Sequence, residues 1–223
     1  MKAIRNRRFF VAPLFAALFV FSACAPRITV TASGADTAEL AIAAGFSRTA
    51  EQTLTSIMGA IAGEADANAP LFTADDLAAV LRRTGLQNVT TSASGEDIAA
   101  RGTIPRVSQS ALAAAGILTM TEKSLALAFG PTQYQSLYDM ADEESQAYAD
   151  LLMIPALSGE TLTPAEYTDL LASMYGPSLA QELTESAFTV TLAALDGKKS
   201  TTARLTLGEL LTLPAEKRWT VNW

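Results

Sequence analysis

The spacing of the apolar residues constrains the fold most strongly, because in each half of the chain it switches from the period of a strand to that of a helix and back. Apolar and polar residues alternate between 28 and 44, as they do in a strand with one buried face. In 50–61 and 77–81 the apolar residues lie three or four positions apart, which predicts amphipathic helices. Alternation returns between 89 and 104. This part of the chain is therefore predicted to form a β-hairpin, helices and a second β-hairpin.

The segment 116–223 has the same order of elements. Two predicted strands joined near Glu122 precede helices that start at Pro131. A hairpin turning at Gly197 and a terminal strand at 219–223 complete the chain.

Antiparallel hairpins separated by helices predict an α+β fold, in which the hairpins form a sheet and the amphipathic helices pack on one face of it. Two similar ββ-α-ββ halves are a hypothesis only, since no residue-level repeat accompanies the repeated order. We expect a single domain over 28–223, and a division into subdomains 28–106 and 107–223 is the alternative.

Local signals predict where several elements begin or change. The segment 163–166 (Thr-Pro-Ala-Glu) combines an N-cap threonine, a proline at the first helical position and a capping-box glutamate. Gly102 indicates a bulge inside the second hairpin. Leu205 and Leu207 are predicted to lie together on the return strand of the last hairpin.

The start of the chain has the layout of a secretory signal peptide. Four cations between Lys2 and Arg8 precede an uncharged run from Phe9 to Ala23. The run has about 15 residues, fewer than the ~20 that a membrane-spanning helix needs. Pro13 also disfavours such a helix. An ordinary signal peptide cut after Ala23 or nearby and a retained anchor helix are two interpretations of this layout.

The sequence Phe21-Ser22-Ala23-Cys24 resembles the lipobox of bacterial lipoproteins, in which a signal peptidase cuts before the cysteine and lipid is attached to it. The resemblance implies that residues 1–23 are a signal peptide, that Cys24 carries a diacylglyceryl group and acyl chains such as palmitate, and that 24–27 is a short tether. Phe21 stands where leucine is usual, as in the looser boxes of spirochaete lipoproteins.

The same resemblance implies a place in the cell envelope, with the domain held to a membrane by lipid and facing the periplasm or the cell exterior. Ala25 favours outward sorting, because an aspartate there is the usual retention signal of such lipoproteins. The mature chain also resembles uncharacterised spirochaete lipoproteins with hairpins, helices and a Trp-x-x-x-Trp end, and this likeness carries no function with it.

The charge of the mature chain excludes some partners. Removing residues 1–23 removes four cations and no acids, so 12 Lys and Arg remain against 23 Asp and Glu, a net charge near −11. Nucleic-acid binding depends largely on cations that neutralise phosphates, so no nucleic-acid partner is expected. Anionic headgroups should repel this chain, which leaves the acyl chains on Cys24 to supply the attraction to the membrane.

The composition also removes common catalytic chemistry. The chain has no histidine, and its one cysteine is Cys24. Ser-His-Asp triads, Cys-His pairs and histidine-based zinc sites are thereby excluded. No phosphate-binding glycine loop is present. We therefore expect no enzyme, no catalytic residue and no cofactor.

Two acidic groups are candidate metal ligands, and neither predicts a site. A solvated helix start accounts for the first group, because acids there favour the positive end of the helix dipole. Its members are Asp139, Asp142, Glu143 and Glu144. The second group, at 64–68, lacks the glycine and glutamate of a calcium-binding loop.

The aromatic residues are interpreted mainly as core. Trp219 and Trp223 are expected to cover a sheet face, with a partner surface as the alternative. The tyrosines are expected at the rim of the core with their hydroxyls at the surface. They are Tyr134, Tyr138, Tyr148, Tyr167 and Tyr175.

Beyond the leader, no motif assigns an activity, and two functions are kept as hypotheses. The first is a non-enzymatic binding or scaffolding lipoprotein whose partner is an unknown envelope protein. The second is a carrier that holds a lipid or another apolar ligand in an internal cavity between sheet and helices.

Overall fold

A computed structural model of the chain describes residues 26–45, 73–94, 97–140 and 161–223, together with positions 47, 52, 53, 56, 146 and 150. The leader and Cys24 lie outside the described residues. The predicted helix at 50–61 and the helix expected to start at Asp142 also lie almost wholly outside the described residues.

Nine strands alternate with helices in the described part of the chain. The strands are β1 (Arg27–Ala32), β2 (Ala38–Gly45), β3 (Gln87–Ser94), β4 (Asp97–Ile104), β5 (Leu118–Thr121), β6 (Ser124–Phe129), β7 (Ala187–Ala193), β8 (Ser200–Thr206) and β9 (Lys217–Asn222). The helices are α1 (Ala74–Arg83), α2 (Ala111–Ala114), α3 (Pro131–Met140), α4 (Pro164–Tyr175), α5 (Pro177–Glu185) and α6 (Leu207–Leu211), with a 3-10 turn at Val107–Gln109. The predicted α+β class is confirmed.

The strands form two sheets. The large sheet has the order β3-β4-β2-β1-β7-β8, and the small sheet has the order β5-β6-β9. All neighbours are antiparallel except β1 and β7, which run parallel with Ile28 opposite Val190. The two hairpins of the first half are neighbours in one sheet, whereas β5-β6 and β7-β8 belong to different sheets.

The two predicted segments, 28–106 and 107–223, are joined through the large sheet. The parallel pair β1-β7 brings strands from both segments side by side. In the β1–β2 turn, Asp36 accepts hydrogen bonds from the Ser108 hydroxyl at 2.6 Å and the Ser108 amide at 2.9 Å. These bonds hold the pKa of the Asp36 carboxyl below its ordinary value, and the bond from the hydroxyl has the larger effect.

Alternating burial places the core on one side of the large sheet. Along β1, Ile28, Val30 and Ala32 are buried, and their intervening neighbours are not. Leu77 and Leu81 of α1 belong to the same cluster of buried side chains. Burying each such leucine contributes about 1.5–3 kcal/mol relative to leaving it exposed.

Aromatic rings join the two sheets. The ring of Phe129, at the end of β6, lies 5.8 Å from that of Phe188 on β7, in an edge-to-face arrangement. It also lies 6.2 Å from the ring of Trp219 on β9 and 6.4 Å from that of Tyr134 on α3. One phenylalanine of the small sheet thus contacts the large sheet, the last strand and a helix.

The helix ends follow the predicted local chemistry. The Thr163 hydroxyl accepts from the Glu166 amide at 3.2 Å, and the Glu166 carboxylate accepts from the Thr163 amide at 2.8 Å. This confirms the capping box at 163–166. At the end of α1, Gly85 has φ +92 and the Leu86 amide donates to the Leu81 carbonyl, as in a Schellman motif.

The prediction for Leu207 is wrong. Leu205 lies on β8, but Leu207 is the first residue of α6. Thr206 and Glu209 form a second capping box, with the Glu209 carboxylate accepting from the Thr206 amide at 2.7 Å. The strand therefore ends at the cap, and burial of Leu207 comes from the helix rather than from strand alternation.

The bulge predicted at Gly102 lies on the opposite strand. The pairing of β3 with β4 shifts register between Gln87 and Thr90, and Asn88 has φ +53. A Cβ at Gly102 would lie 3.1 Å from both the Gln87 carbonyl oxygen and the Val89 side chain. The glycine thus makes room for the bulged segment to approach β4.

Candidate functional site

The large sheet has a buried inner face and an open face, which we call the outer face. Residues that are opposite one another on neighbouring strands point to the same side of a sheet. The outer face is therefore defined by the pairing register. It includes Arg27, Thr29, Thr31, Glu39, Ala41, Ala43, Thr90, Ser92, Asp97, Ala99, Arg101, Thr103, Thr189, Thr191, Thr202 and Arg204. All of them are exposed or half-buried.

Two neighbouring rows cross the middle of this face. One row is Ser92, Ala99, Ala43, Arg27, Thr189 and Arg204, and the other is Thr90, Arg101, Ala41, Thr29, Thr191 and Thr202. These rows hold three arginines and no acid, although acids outnumber cations by 23 to 16 in the chain. The acids of the outer face, Glu39 and Asp97, lie in the flanking rows. The middle of the face is thus a basic strip on an acidic protein.

A shallow cavity of about 440 Å³ opens on this face between β3 and β1. Its small residues are Ala41, Ala43 and Ala99, on two central strands. Arg27 and Arg101 also line it, with hydroxyls from β3 beside them. Short side chains between long ones produce a depression that a ligand or a partner side chain can fill.

Arg101 is held in place at the β3 side of the cavity. Its Nε donates a hydrogen bond to Oγ1 of Thr90, its partner on β3, at 3.1 Å. A guanidinium has five N–H donors in a planar fork that matches a carboxylate or a phosphate. Within the described ranges, no ion pair joins Arg27, Arg101 or Arg204 to a carboxylate, and the ion pair seen is Arg218–Glu216 at 2.8 Å. The strip can therefore bind an anion without first breaking an ion pair.

The residues predicted for sites are only partly placed. Cys24 and 64–68 lie outside the described residues, as do Asp142, Glu143 and Glu144. Asp139 is exposed on α3, where its carboxylate accepts from Gln135 Nε2 at 2.7 Å. Among the residues that the structure describes, no three potential ligand side chains converge on a point where a metal could bind.

The terminal tryptophans pack against the core, in keeping with the prediction that they cover a sheet face. Val221 is buried, and Trp219 and Trp223 are half-buried and pack against the main cluster. The Trp223 amide donates to the Lys123 carbonyl at 3.0 Å, which fixes the end of the chain to the β5–β6 turn.

The expectation of surface hydroxyls is wrong for Tyr134 and Tyr167, which are 1% and 2% exposed. The Tyr134 hydroxyl donates to the Leu210 carbonyl at 2.6 Å. Burial raises the pKa of both phenols far above the ordinary value. Tyr138 and Tyr175 are half-buried, in keeping with the prediction, and Tyr148 lies outside the described residues.

Sequence reasoning missed the arginines of the outer face. Arg27 was assigned to the tether, and Arg101 and Arg204 were not singled out. Their common signal is the strand parity: each stands on the polar side of an alternating segment. Which strands are neighbours, and hence that the arginines share a face, follows only from the sheet order.

No family model matches the chain, and neither the curated proteins nor the solved structures include a significant match. In the part of the chain that the structure describes, no helix combines the length and the apolar content needed to cross a bilayer.

Proposed function

We propose that this chain is a lipid-anchored lipoprotein of the cell envelope that acts as a non-enzymatic binding or scaffolding module. The binding surface is the outer face of the large sheet. The observation that carries this proposal is the basic strip around the 440 Å³ cavity, open on a sheet whose other side holds the core.

The anchor and the binding surface lie close together in the chain. Cys24 is three residues before Arg27, the first residue of β1. Three residues span at most about 10 Å. A lipid on Cys24 would hold the start of β1 near the headgroups, so the domain would be presented at the membrane surface with little freedom to move away.

The proposal of a binding protein rather than an enzyme rests on chemistry. The chain has no histidine and no cysteine besides Cys24. The middle rows of the outer face present arginine, threonine and serine, whose N–H and O–H groups can bind anions and backbone carbonyls. Arginine stays protonated in proteins and does not act as a general base at neutral pH.

Membrane attachment is tested with Cys24→Ser. We expect the wild-type protein to incorporate a radiolabelled fatty acid and to sediment with membranes. The variant should do neither, because two or more acyl chains supply the stable attachment. A variant that stays on membranes without lipid would contradict the lipoprotein proposal, and Ser22→Ala is the matched control that should remain lipidated.

The binding function is tested by cross-linking in intact cells. A photoreactive residue at Ser92 or Thr202 on the outer face should capture a partner. The same residue at Lys198, in the β7–β8 turn, is the control. Failure at every position of the outer face would count against the proposed function. The carrier hypothesis remains separate: native mass spectrometry of the purified protein would reveal a bound lipid.

A further inference from the structure

β3 is an edge strand of the large sheet. It pairs with β4 on one side and has no strand on its other side among the described residues. Six of its eight residues are exposed, and only Val89 and Thr91 are half-buried. An edge strand presents unpaired N–H and C=O groups to which another extended chain can pair.

The sequence of β3 lacks most of the usual protection of an edge. Its residues, QNVTTSAS, include no charge and no proline. The bulge between Gln87 and Thr90 disturbs one end, and the remaining stretch, Thr90–Ser94, pairs with β4 in regular register. About five residues of regular edge are therefore open to an added strand.

The opposite edge of the sheet differs. β8 lies beside the small sheet, where the Thr201 hydroxyl donates to the Thr220 carbonyl of β9 at 3.2 Å. A strand added there would meet β9. The edge at β3 is therefore a better template for an added strand than the edge at β8.

Arg101 supplies charge next to this edge. Neighbouring strands are about 4.8 Å apart, so a strand added to β3 would lie about 10 Å from β4. The Arg101 side chain is already directed across β3 by its bond to Thr90. A carboxylate on the outer side of the added strand, opposite Thr90, would lie within reach of the guanidinium.

We propose that β3 is the docking edge for an extended acidic segment of a partner protein, which adds a seventh strand to the large sheet and places a carboxylate against Arg101. This proposal rests on the proposed binding function and names the partner of that same face. Main-chain hydrogen bonds supply the affinity and the Arg101–carboxylate pair selects the sequence, as in other strand-addition complexes. A second copy of this chain fits less well, because β3 has no carboxylate to offer Arg101.

The test is peptide binding to the full lipidated protein in detergent. The probe is a fluorescent peptide of about eight residues, the length of β3, in which aspartate alternates with valine and threonine. We expect binding by fluorescence anisotropy and slower amide hydrogen exchange in 90–94. A peptide with lysine in place of aspartate should bind more weakly. N-methylation of alternate residues along one edge should reduce affinity at least about tenfold, because it removes the main-chain donors.

Matched protein variants distinguish docking at the β3 edge from nonspecific attraction between opposite charges. Arg101→Ala should weaken binding of the acidic peptide about two- to fivefold, the upper part of the range of an exposed ion pair. Lys198→Ala, in the β7–β8 turn and outside the outer face, should leave its affinity unchanged. The proposal is overturned by no peptide binding, by equal effects of the two variants, or by equal affinity of the N-methylated peptide. A β3-dependent dimer in sedimentation would also overturn it, in favour of self-pairing.

Cross-linking from Ser92 and Thr202 distinguishes this inference from the proposed function. A partner captured from Thr202 but not from Ser92 would contradict the proposal that β3 is the docking edge and would leave the proposed binding function intact. A partner captured from neither position would speak against both.

Discussion

At Tyr134 one hydroxyl links two elements that are 76 residues apart in the chain. The phenol is on α3 and donates to the Leu210 carbonyl of α6. A buried tyrosine normally finds such a partner, because an unsatisfied hydroxyl in the core costs free energy. The residue therefore combines apolar packing against Phe129 with one specific polar contact.

Tyr134→Phe should lower the free energy of unfolding by about 1–2 kcal/mol, since it removes a buried hydrogen bond and leaves the ring in place. Urea denaturation followed by circular dichroism measures the change. Tyr138→Phe is the control on the same helix and should have a smaller effect, because that side chain is half-buried. Equal effects of the two variants would contradict the role given to Tyr134.

The buried phenols also predict loss of stability in alkali. Burial raises the pKa of Tyr134 and Tyr167 above the ordinary value of 10.0. The unfolded chain releases these protons above about pH 10 while the folded protein retains them. Stability should be unaffected by these groups below pH 10 and should fall as the pH rises beyond it. The dependence of the urea midpoint on pH should be shallower in Tyr134→Phe than in the wild type.

At the scale of single elements, capping boxes decide where structure begins. Thr163 and Glu166 start α4, and Thr206 and Glu209 start α6 directly after β8. In each case a threonine oxygen accepts from the third helical amide and a glutamate accepts from the cap amide. The second box explains why a segment with apolar alternation changes from strand to helix within one residue.

Thr163→Ala should destabilise the protein by about 1 kcal/mol, the typical cost of losing an N-cap. Thr161→Ala, two residues earlier and exposed, is the matched control and should be close to neutral. Hydrogen bonds from the Thr163 amide and hydroxyl lower the pKa of Glu166 below 4.5. The contribution of Glu166 is therefore present above that pH and is lost as the pH falls through the lower, folded value. The difference between wild type and Thr163→Ala should shrink in acid.

At the scale of the whole molecule, the two sheets share one core. The cluster of buried apolar side chains includes residues from β1 to β9, and Phe129 lies where the sheets meet. The parallel pair β1-β7 and the Asp36–Ser108 bonds add connections between distant parts of the chain. These contacts favour cooperative unfolding of both sheets.

Phe129→Leu should lower the free energy of unfolding by about 1–3 kcal/mol, because it removes ring contacts and leaves a small void. Both tryptophans lie in or directly after β9, so their fluorescence reports on the small sheet. Far-ultraviolet circular dichroism reports on the whole fold. The two transitions should coincide in wild type and variant, and separate midpoints would show that the sheets unfold independently.

Much of the local structure could be predicted, and the candidate site could not. Alternation at Ile28, Val30 and Ala32 and the capping box at 163–166 depend on near neighbours in the chain, which the sequence displays directly. The change from strand to helix at Leu207 was missed because the same residues fit both the strand alternation and a capping box. The buried hydroxyl of Tyr134 depends on α6, which no local pattern connects to α3.

By itself, the sequence determined the α+β class, several element boundaries and the lack of histidine and of a second cysteine, since each of these follows from residue types and their short-range spacing. It also predicted lipidation at Cys24, which remains a proposal. Tertiary structure decided that β1 pairs with β7, that the strands divide into two sheets, and that Arg27, Arg101 and Arg204 share one open face. Those outcomes depend on which strands become neighbours. Local sequence does not specify the neighbours, because the backbone groups that form hydrogen bonds between strands are the same at every residue. The order of a sheet is therefore set by how the whole core packs.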